Sequence, residues 1–283
     1  MPSAILTLGN AQRAQLKALQ AETSGHLRSH FEVAQQRAVH TIRTFTRAYG
    51  EELDRLRAEE DDAGDPMDPR AKVPSTWLHT HGLSDVQRAV KASVATAAVY
   101  SLQATRQAQG RAATDGQRNA HALIVASVKG ATPKPIITPS IPPQVVGYTF
   151  RKPHHEPLTD YFDPLDDLAY AQTAKVASNG AASGWLADAL AAALYGVFTS
   201  AYYRADTIAD AESTGAYRGM VTLSFRENPF YVKGWQWRAQ PDACDYCADL
   251  NGTLHGIDED MDSHPHCRCW QEPFSTDPRD QEE

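Results

Sequence analysis

The sequence predicts a mainly α-helical chain with a small C-terminal β-hairpin knob. Three observations lead to this prediction. Apolar residues recur every three or four positions over long stretches, a proline-rich segment interrupts them near the middle, and all four cysteines lie between Cys244 and Cys269. With 283 residues, 42% of them hydrophobic and 22% charged, the chain is expected to form one large or two modest domains.

Charge is distributed unevenly along the chain. The formal net charge is -8, but residues 1–130 hold 16 basic and 13 acidic side chains, whereas residues 131–283 hold 11 and 22. This acidic balance argues against a general DNA-binding module and against a binder of anionic membranes.

The first residues show no signal-peptide pattern, and the alanine-rich stretch 185–203 is interrupted by Asp188. We therefore expect a buried helix there, no membrane span, and synthesis in a cytoplasm.

The first 83 residues predict one long helix followed by a loop. An apolar stripe over residues 27–56 advances in steps of four and three, and the acidic run 59–62 ends the helix. Residues 63–83, with three prolines, are predicted to form the loop. Within it, His79 and His81 would share one face of a strand, but no cysteine or carboxylate lies close enough in sequence to make a metal site there.

Two further helices and a connector are predicted next. Ser84 and Gln87 have the spacing of a capping box, so a helix is expected over residues 84–109 and another over 117–128. Residues 1–129 are thus predicted to form a helical region, either an antiparallel bundle or a hairpin. Residues 130–164 contain a run of prolines that excludes helix and predicts an extended connector.

The last part of the chain, residues 165–274, is predicted to combine helices with a small sheet. Helix resumes near Leu165, and an apolar stripe over 184–217 predicts a long helix. Alternating apolar residues predict strands at 221–225 and 235–238, and Asn251-Gly252 predicts a hairpin. Residues 275–283 are polar and acidic and are predicted to form a disordered tail.

The cysteines and two histidines have the spacing of a metal site. Cys244-Asp-Tyr-Cys247 is followed, after sixteen residues, by His264-Pro-His266-Cys267-Arg268-Cys269. A CxxC turn and a second pair returned by a hairpin can form a tetrahedron of nitrogen and sulfur ligands, which is the preference of structural zinc. Cys244 and Cys247 are the firmest candidates among six. Cys267 and Cys269 share one face of a strand, and His264 and Cys267 converge across the proline turn, so two of these three residues complete the site.

Other chemistries compete for the same residues. The cysteines could form a disulfide, or a thioredoxin-type CxxC, although such a motif normally opens a helix after a strand. His154-His155-Glu156 matches the first half of a zinc deaminase motif, but it lies far from Cys244 in the connector. A zinc-hairpin nuclease of the HNH type, acting on DNA, would need a catalytic histidine and an acid from His255, His264, His266, Asp258, Asp260 and Asp262. The sequence contains no nucleophile–base pair at a recognisable spacing, so we expect a protein that is not an enzyme.

The C-terminal motif resembles that of a known family. The residues that carry the resemblance are Trp237, Cys244-x-x-Cys247, Leu250-Asn251-Gly252, His264-Pro-x-Cys267-Arg268-Cys269, Pro273 and the helix end at 211–219. In this order they are similar to the signature of the phage Mu protein F-like minor head proteins. The resemblance covers residues 165–274. In two respects the chain departs from the family: Asp210 or Ala211 occupies a place that often holds arginine, and the spacer 253–263 is acidic, which disfavours contact of that loop with DNA.

The resemblance implies a structural role in a virion. Members of the family are minor capsid or head morphogenesis proteins of tailed phages, located at the portal vertex and involved in head assembly and in DNA packaging and ejection. The implied partners are the portal protein, the major capsid protein or both, with at most indirect contact with packaged DNA. The resemblance also favours His264 with Cys267 as the second ligand pair, with Cys269 as a close spectator or as a replacement for the histidine. Arg268 is then free to pair with an acid such as Glu212.

Overall fold

A computed structural model of the chain is 75% helical and has one three-stranded antiparallel sheet near the C-terminus. The mainly α-helical fold class with a small β knob is therefore confirmed. The structure describes residues 4–62, 72–128, 134–135, 146, 157–261 and 264–275. The candidate motif at 154–156, the tail 276–283 and most of the predicted connector lie outside these ranges.

The described residues form seven helices and three strands. The helices are α1 (Ala4–Asp62), α2 (Ser75–Thr80), α3 (Leu83–Ser127), α4 (Thr159–Phe162), α5 (Pro164–Ala182), α6 (Ala187–Arg226) and α7 (Asp245–Asp249). The strands are β1 (Gly234–Arg238), β2 (Leu254–Gly256) and β3 (Trp270–Phe274). α4 lies inside the segment predicted to be an extended connector, so the end of that segment is helical.

The long helices exceed their predicted lengths. α1 ends at Asp62 as predicted and buries the expected stripe from Leu27 to Leu53, but it begins at Ala4. The two helices predicted at 84–109 and 117–128 are one continuous helix, α3. Gly110 and Gly116 lie between the two predicted helices, and glycine is a poor helix former. Tertiary packing overrides this preference, since the main chain of Tyr217 lies directly against Gly116.

One predicted strand is wrong, and part of the predicted loop 63–83 is helical. Residues 221–225 form the last turns of α6, because Val221 and Phe225 are four positions apart and both are buried on one face of that helix. His79 and His81 do not share a strand face, since the segment forms α2 and the ring of His81 stacks on Trp77 at a centroid distance of 4.3 Å.

β1 is the central strand of the sheet and was predicted correctly at 235–238. It pairs antiparallel with β2 on one side and with β3 on the other, in the order β2-β1-β3. The predicted turn at Asn251-Gly252 lies in the connection from β1 to the adjacent strand β2, but it is not a two-residue hairpin loop. It ends the connection that contains α7, and Gly252, with a φ of +88°, donates its N–H to the carbonyl of Trp237 at 2.8 Å.

The chain divides into two compact units. Unit 1 comprises Met1–Gly25, Gln103–Leu158 and Asp206–Glu283, and unit 2 comprises His26–Leu102 and Thr159–Ala205. Each unit therefore draws segments from both sides of the predicted connector. In unit 1, a core that includes Leu16, Leu123, Phe225, Trp235 and Trp270 joins the sheet to α1, α3 and α6.

Unit 2 has its own buried residues, among them Phe31, Tyr49, Leu78, Phe162 and Phe198. The hydroxyl of Tyr49 donates a hydrogen bond to the carbonyl of Trp185 at 3.0 Å and ties α1 to the segment before α6. Within the described part of the chain, no helix is both long and apolar enough to cross a membrane.

Candidate metal centre

The CxxC half of the cluster is built by α7. Cys244 immediately precedes this five-residue helix and Cys247 lies one turn later, so both side chains project from the same side. The main-chain N–H of Ala248 bonds to the carbonyl of Cys244 at 2.9 Å and closes the turn. A short helical turn with cysteines at this spacing directs two sulfur atoms toward one point.

The return half comes from the loop that leads into β3. The Nε2 atom of His264 lies 3.1 Å from the sulfur of Cys244 and 3.3 Å from that of Cys247, and the sulfur atoms of Cys247 and Cys267 are 3.6 Å apart. Ligand atoms of a tetrahedral zinc ion are about 3.3–3.8 Å apart, given Zn–S bonds of about 2.3 Å. The side chains are therefore close to the spacing that a metal ion requires.

Five residues can supply metal ligands at this place. Two overlapping groups have ligand atoms that all lie within 4.8 Å of one another: Cys244, Cys247 and His264, and Cys247, Cys267 and Cys269. All four cysteines are free thiols, contrary to the disulfide alternative. The cluster could hold a metal ion, with Cys247 common to both groups.

His264 is oriented for coordination by its other ring nitrogen. Nδ1 lies 2.7 Å from the carbonyl of Pro265, so it carries the proton and donates it there. The lone pair of Nε2 then faces the two thiols of the CxxC turn. Metal-ligating histidines are commonly fixed by such a hydrogen bond from the second nitrogen.

Arg218 is a site residue that the sequence analysis missed. It lies on α6, is 6% exposed, and its Nη2 atom donates to the sulfur and carbonyl of Cys267, each at 3.2 Å, and to the carbonyl of Cys269 at 2.9 Å. The sequence feature that could have identified Arg218 is a charged residue on the apolar face of a predicted helix. The incorrect strand at 221–225 concealed it, because it ended the predicted helix before this face was complete.

The thiols of the cluster have very different acidities. A hydrogen bond from the Cys269 thiol, together with the positive charge of Arg218, lowers the pKa of Cys267 to about 3. Burial and the negative charge of Cys267 raise the pKa of Cys247 to about 12. The pKa of Cys269 is also raised, because its thiol donates to Cys267 and is itself buried. Without a metal, the negative charge of the cluster is therefore carried by Cys267, beside Arg218.

His266 and Arg268 face away from the thiols, toward α6. The carboxylate of Asp210 accepts hydrogen bonds from the main-chain N–H of His266 at 2.8 Å and from the guanidinium of Arg268 at 2.9 Å. The Nδ1 atom of His266 lies 2.9 Å from the same carboxylate. Arg268 was expected to pair with an acid such as Glu212. Its partner is instead Asp210, because the loop meets α6 half a turn earlier than expected.

The residues proposed for a nuclease have structural contacts in unit 1. The ring of His255 stacks on Trp235 at a centroid distance of 4.1 Å, and its Nδ1 atom lies 3.0 Å from Glu259. Asp260 pairs with Arg226 at 3.0 Å. Asp262 lies outside the described residues.

The chain matches no family model, no curated protein and no solved structure. The geometry of the cluster is therefore the basis for assigning a role to the chain.

Proposed function

We propose that the cluster binds one structural zinc ion. Cys244, Cys247 and His264 supply three ligands, and Cys267 or Cys269 supplies the fourth. The donors are sulfur and imidazole nitrogen, within 4.8 Å of one another in each group of three, and this donor set suits zinc better than magnesium or calcium. A set of four protein ligands leaves no open position for a substrate, so the metal has a structural role.

The bound metal would add stability to this small sheet and its connections. β1 and β3 have five residues each and β2 has three, so the sheet depends on its packing against the helices of unit 1. Zinc binding contributes on the order of 10 kcal/mol to folding in small zinc modules at neutral pH. It would hold α7 and the loop before β3 together.

The chain is, in this proposal, a minor capsid or head morphogenesis protein of a tailed phage. The observation that carries the proposal is the approach of the CxxC motif to the HPxCRC motif, with the sulfur atoms of Cys247 and Cys267 3.6 Å apart. These are the two halves of the signature that resembles the Mu F-like minor head proteins. The long helices around the knob fit an assembly protein that acts by binding and not by catalysis.

The proposed partners are the portal protein or the major capsid protein of the same phage, inside the head near the portal vertex. The acidic composition of residues 131–283 favours contact with proteins over direct contact with DNA. The test is affinity isolation of the tagged full-length chain from its source, followed by electron microscopy and mass spectrometry. An associated portal ring or capsid shell supports the proposal. Absence of the chain from every head fraction contradicts it.

Metal content tests the zinc centre separately. Purified protein is expected to carry one zinc per chain, and the double variant Cys244→Ser/Cys247→Ser is expected to carry none. Ser200→Ala, at an exposed serine of unit 2, is the control and should retain the metal. The nuclease alternative would be favoured by Mg²⁺-dependent cleavage of duplex DNA that is lost in His266→Ala.

A further inference from the structure

The cluster contains one cysteine more than a four-ligand site with His264 needs. Cys267 and Cys269 both lie near Cys247, so distance to the CxxC turn does not choose between them. Arg218 distinguishes them. Its Nη2 atom contacts the sulfur of Cys267, whereas it contacts only the main-chain carbonyl of Cys269.

A main-chain N–H group orients each of the two sulfurs, but only the sulfur of Cys267 also accepts from a charged side chain. The main-chain N–H of Cys269 donates to the sulfur of Cys267, which therefore accepts from both Arg218 and its own loop. The sulfur of Cys269 instead accepts the main-chain N–H of Gln240, after β1. N–H donors aimed at a sulfur stabilise its thiolate form and fix its direction.

The charges of the cluster favour His264 over a fourth thiolate as a ligand. A divalent ion with three thiolates and a neutral imidazole has a net charge of −1, and a buried charge is tolerated only with a compensating partner. The guanidinium of Arg218, buried against the loop, supplies one positive charge. A fourth thiolate in place of His264 would leave the cluster with an additional negative charge.

We propose that Arg218 is a positioning residue that directs Cys267 to the metal and leaves Cys269 as an unbound thiol beside the site. The inference rests on the proposed metal centre and adds its fourth ligand and the residue that selects it. Cys269 is then a reserve ligand, close enough to coordinate when Cys267 or Arg218 is removed.

Cobalt substitution tests the ligand assignment. Co²⁺ bound in place of zinc has visible bands that report tetrahedral geometry and a near-ultraviolet band whose intensity follows the number of thiolate ligands. Cys269→Ser is expected to leave this spectrum and the cobalt affinity unchanged. Cys267→Ser is expected to weaken binding and to shift the bands, since Cys269 must move to replace the lost ligand. Equal effects of the two variants, or a larger effect of Cys269→Ser, would overturn the proposal.

Arg218 variants test the selection itself. Arg218→Met retains much of the side-chain volume without the donors and is expected to weaken cobalt binding by about 10- to 100-fold, as loss of groups that orient ligands does. Arg218→Lys keeps the charge but cannot reach all three acceptors, so an intermediate affinity is expected. In the Arg218→Met background, Cys269→Ser should now alter the spectrum, although it is silent in the wild-type background.

The outcomes separate the two levels of the proposal. If the wild-type protein binds neither zinc nor cobalt, the metal centre itself is wrong. If it binds cobalt and Cys269→Ser is silent in both backgrounds, Cys267 is a ligand but Arg218 does not select it, and the inference fails. Far-ultraviolet circular dichroism identifies an Arg218 variant that does not fold, in which case the comparison of Cys267→Ser with Cys269→Ser still decides the ligand.

Discussion

The carboxylate of Asp210 on α6 accepts the main-chain N–H of His266 at 2.8 Å. His266 has a φ of +63°, a left-handed conformation that is costly for a residue with a side chain. Asp210 is 7% exposed and also contacts Arg268 and the ring of His266. The buried carboxylate therefore holds the turn that separates the thiols facing the cluster from the side chains facing α6.

Removal of this carboxylate should loosen the turn. Asp210→Ala leaves the half-buried Arg268 and the N–H of His266 without their partner, and we expect a loss of about 2–3 kcal/mol in the free energy of unfolding. Chemical denaturation measures it. Asp258→Ala removes a carboxylate that is 92% exposed and should change stability by less than about 0.5 kcal/mol. Equal effects of both variants would contradict a structural role for Asp210.

The left-handed turn makes a prediction about substitutions at His266. Asparagine tolerates this conformation, whereas a β-branched residue does not. His266→Val is therefore expected to be less stable than His266→Asn by about 1–2 kcal/mol. Both variants remove the imidazole, so their difference isolates the main-chain strain. Thermal unfolding of the two proteins side by side provides the measurement, and equal melting temperatures would show that the turn relaxes.

The sequence predicted the fold class and the cysteine–histidine cluster because both depend on short-range patterns. The stripe from Leu27 to Leu53 follows directly from the helical period, and every cysteine lies within one segment of 26 residues. The strand predicted at 221–225 failed for a physical reason. Val221 and Phe225 fit an alternating strand as well as one face of a helix, and only the packing of α6 decides between the two.

The remaining features depend on contacts between distant residues. Arg218 lies 49 positions from Cys267, and Asp210 lies 58 positions from Arg268. The sequence around either pair does not indicate that these two side chains form a contact. The continuity of α3 across Gly116 likewise depends on what packs against the helix. Patterns therefore located the site, whereas tertiary packing determined which residues support it.

The two glycines of α3 should respond oppositely to alanine. A methyl group at Gly116 would collide with the main-chain carbonyl of Tyr217, whereas one at Gly110 meets nothing within 4 Å. Gly110→Ala is expected to raise stability by about 0.5–1 kcal/mol through its better helix propensity. Gly116→Ala is expected to lower it by about 1–3 kcal/mol, the usual cost of overpacking. If both variants stabilise the protein, the close approach of α6 to α3 is wrong.

A matched pair of serines on α6 tests the cost of an unpartnered hydroxyl. Ser213 is 1% exposed, lines a cavity of about 220 Å³, and its Oγ atom has no hydrogen-bond partner among the described residues. Ser224 is also buried, but its hydroxyl donates to the carbonyl of Met220 at 2.7 Å.

Ser213→Ala should raise the free energy of unfolding by up to about 1 kcal/mol, because an unsatisfied buried hydroxyl is costly. Ser224→Ala should lower it by a similar amount, since a hydrogen bond is lost. Urea denaturation compares the two. A loss of stability in Ser213→Ala would mean that its hydroxyl has a bound partner, such as water in the cavity.

Metal binding should depend on pH through Cys247. Burial and the charge of Cys267 raise the pKa of Cys247 to about 12, so its thiol is protonated at neutral pH and must lose that proton to bind a metal. Cys267, with a pKa near 3, is already a thiolate over this range. Zinc affinity should therefore rise by at least about tenfold per pH unit between pH 6.5 and 8.5, with release of at least one proton per ion bound.

Competition with a chromophoric chelator measures the zinc affinity, and proton release into a weak buffer gives the second readout. Cys247→Ser removes the thiol and should abolish both signals. An affinity that does not change over this range would mean that Cys247 is not a ligand.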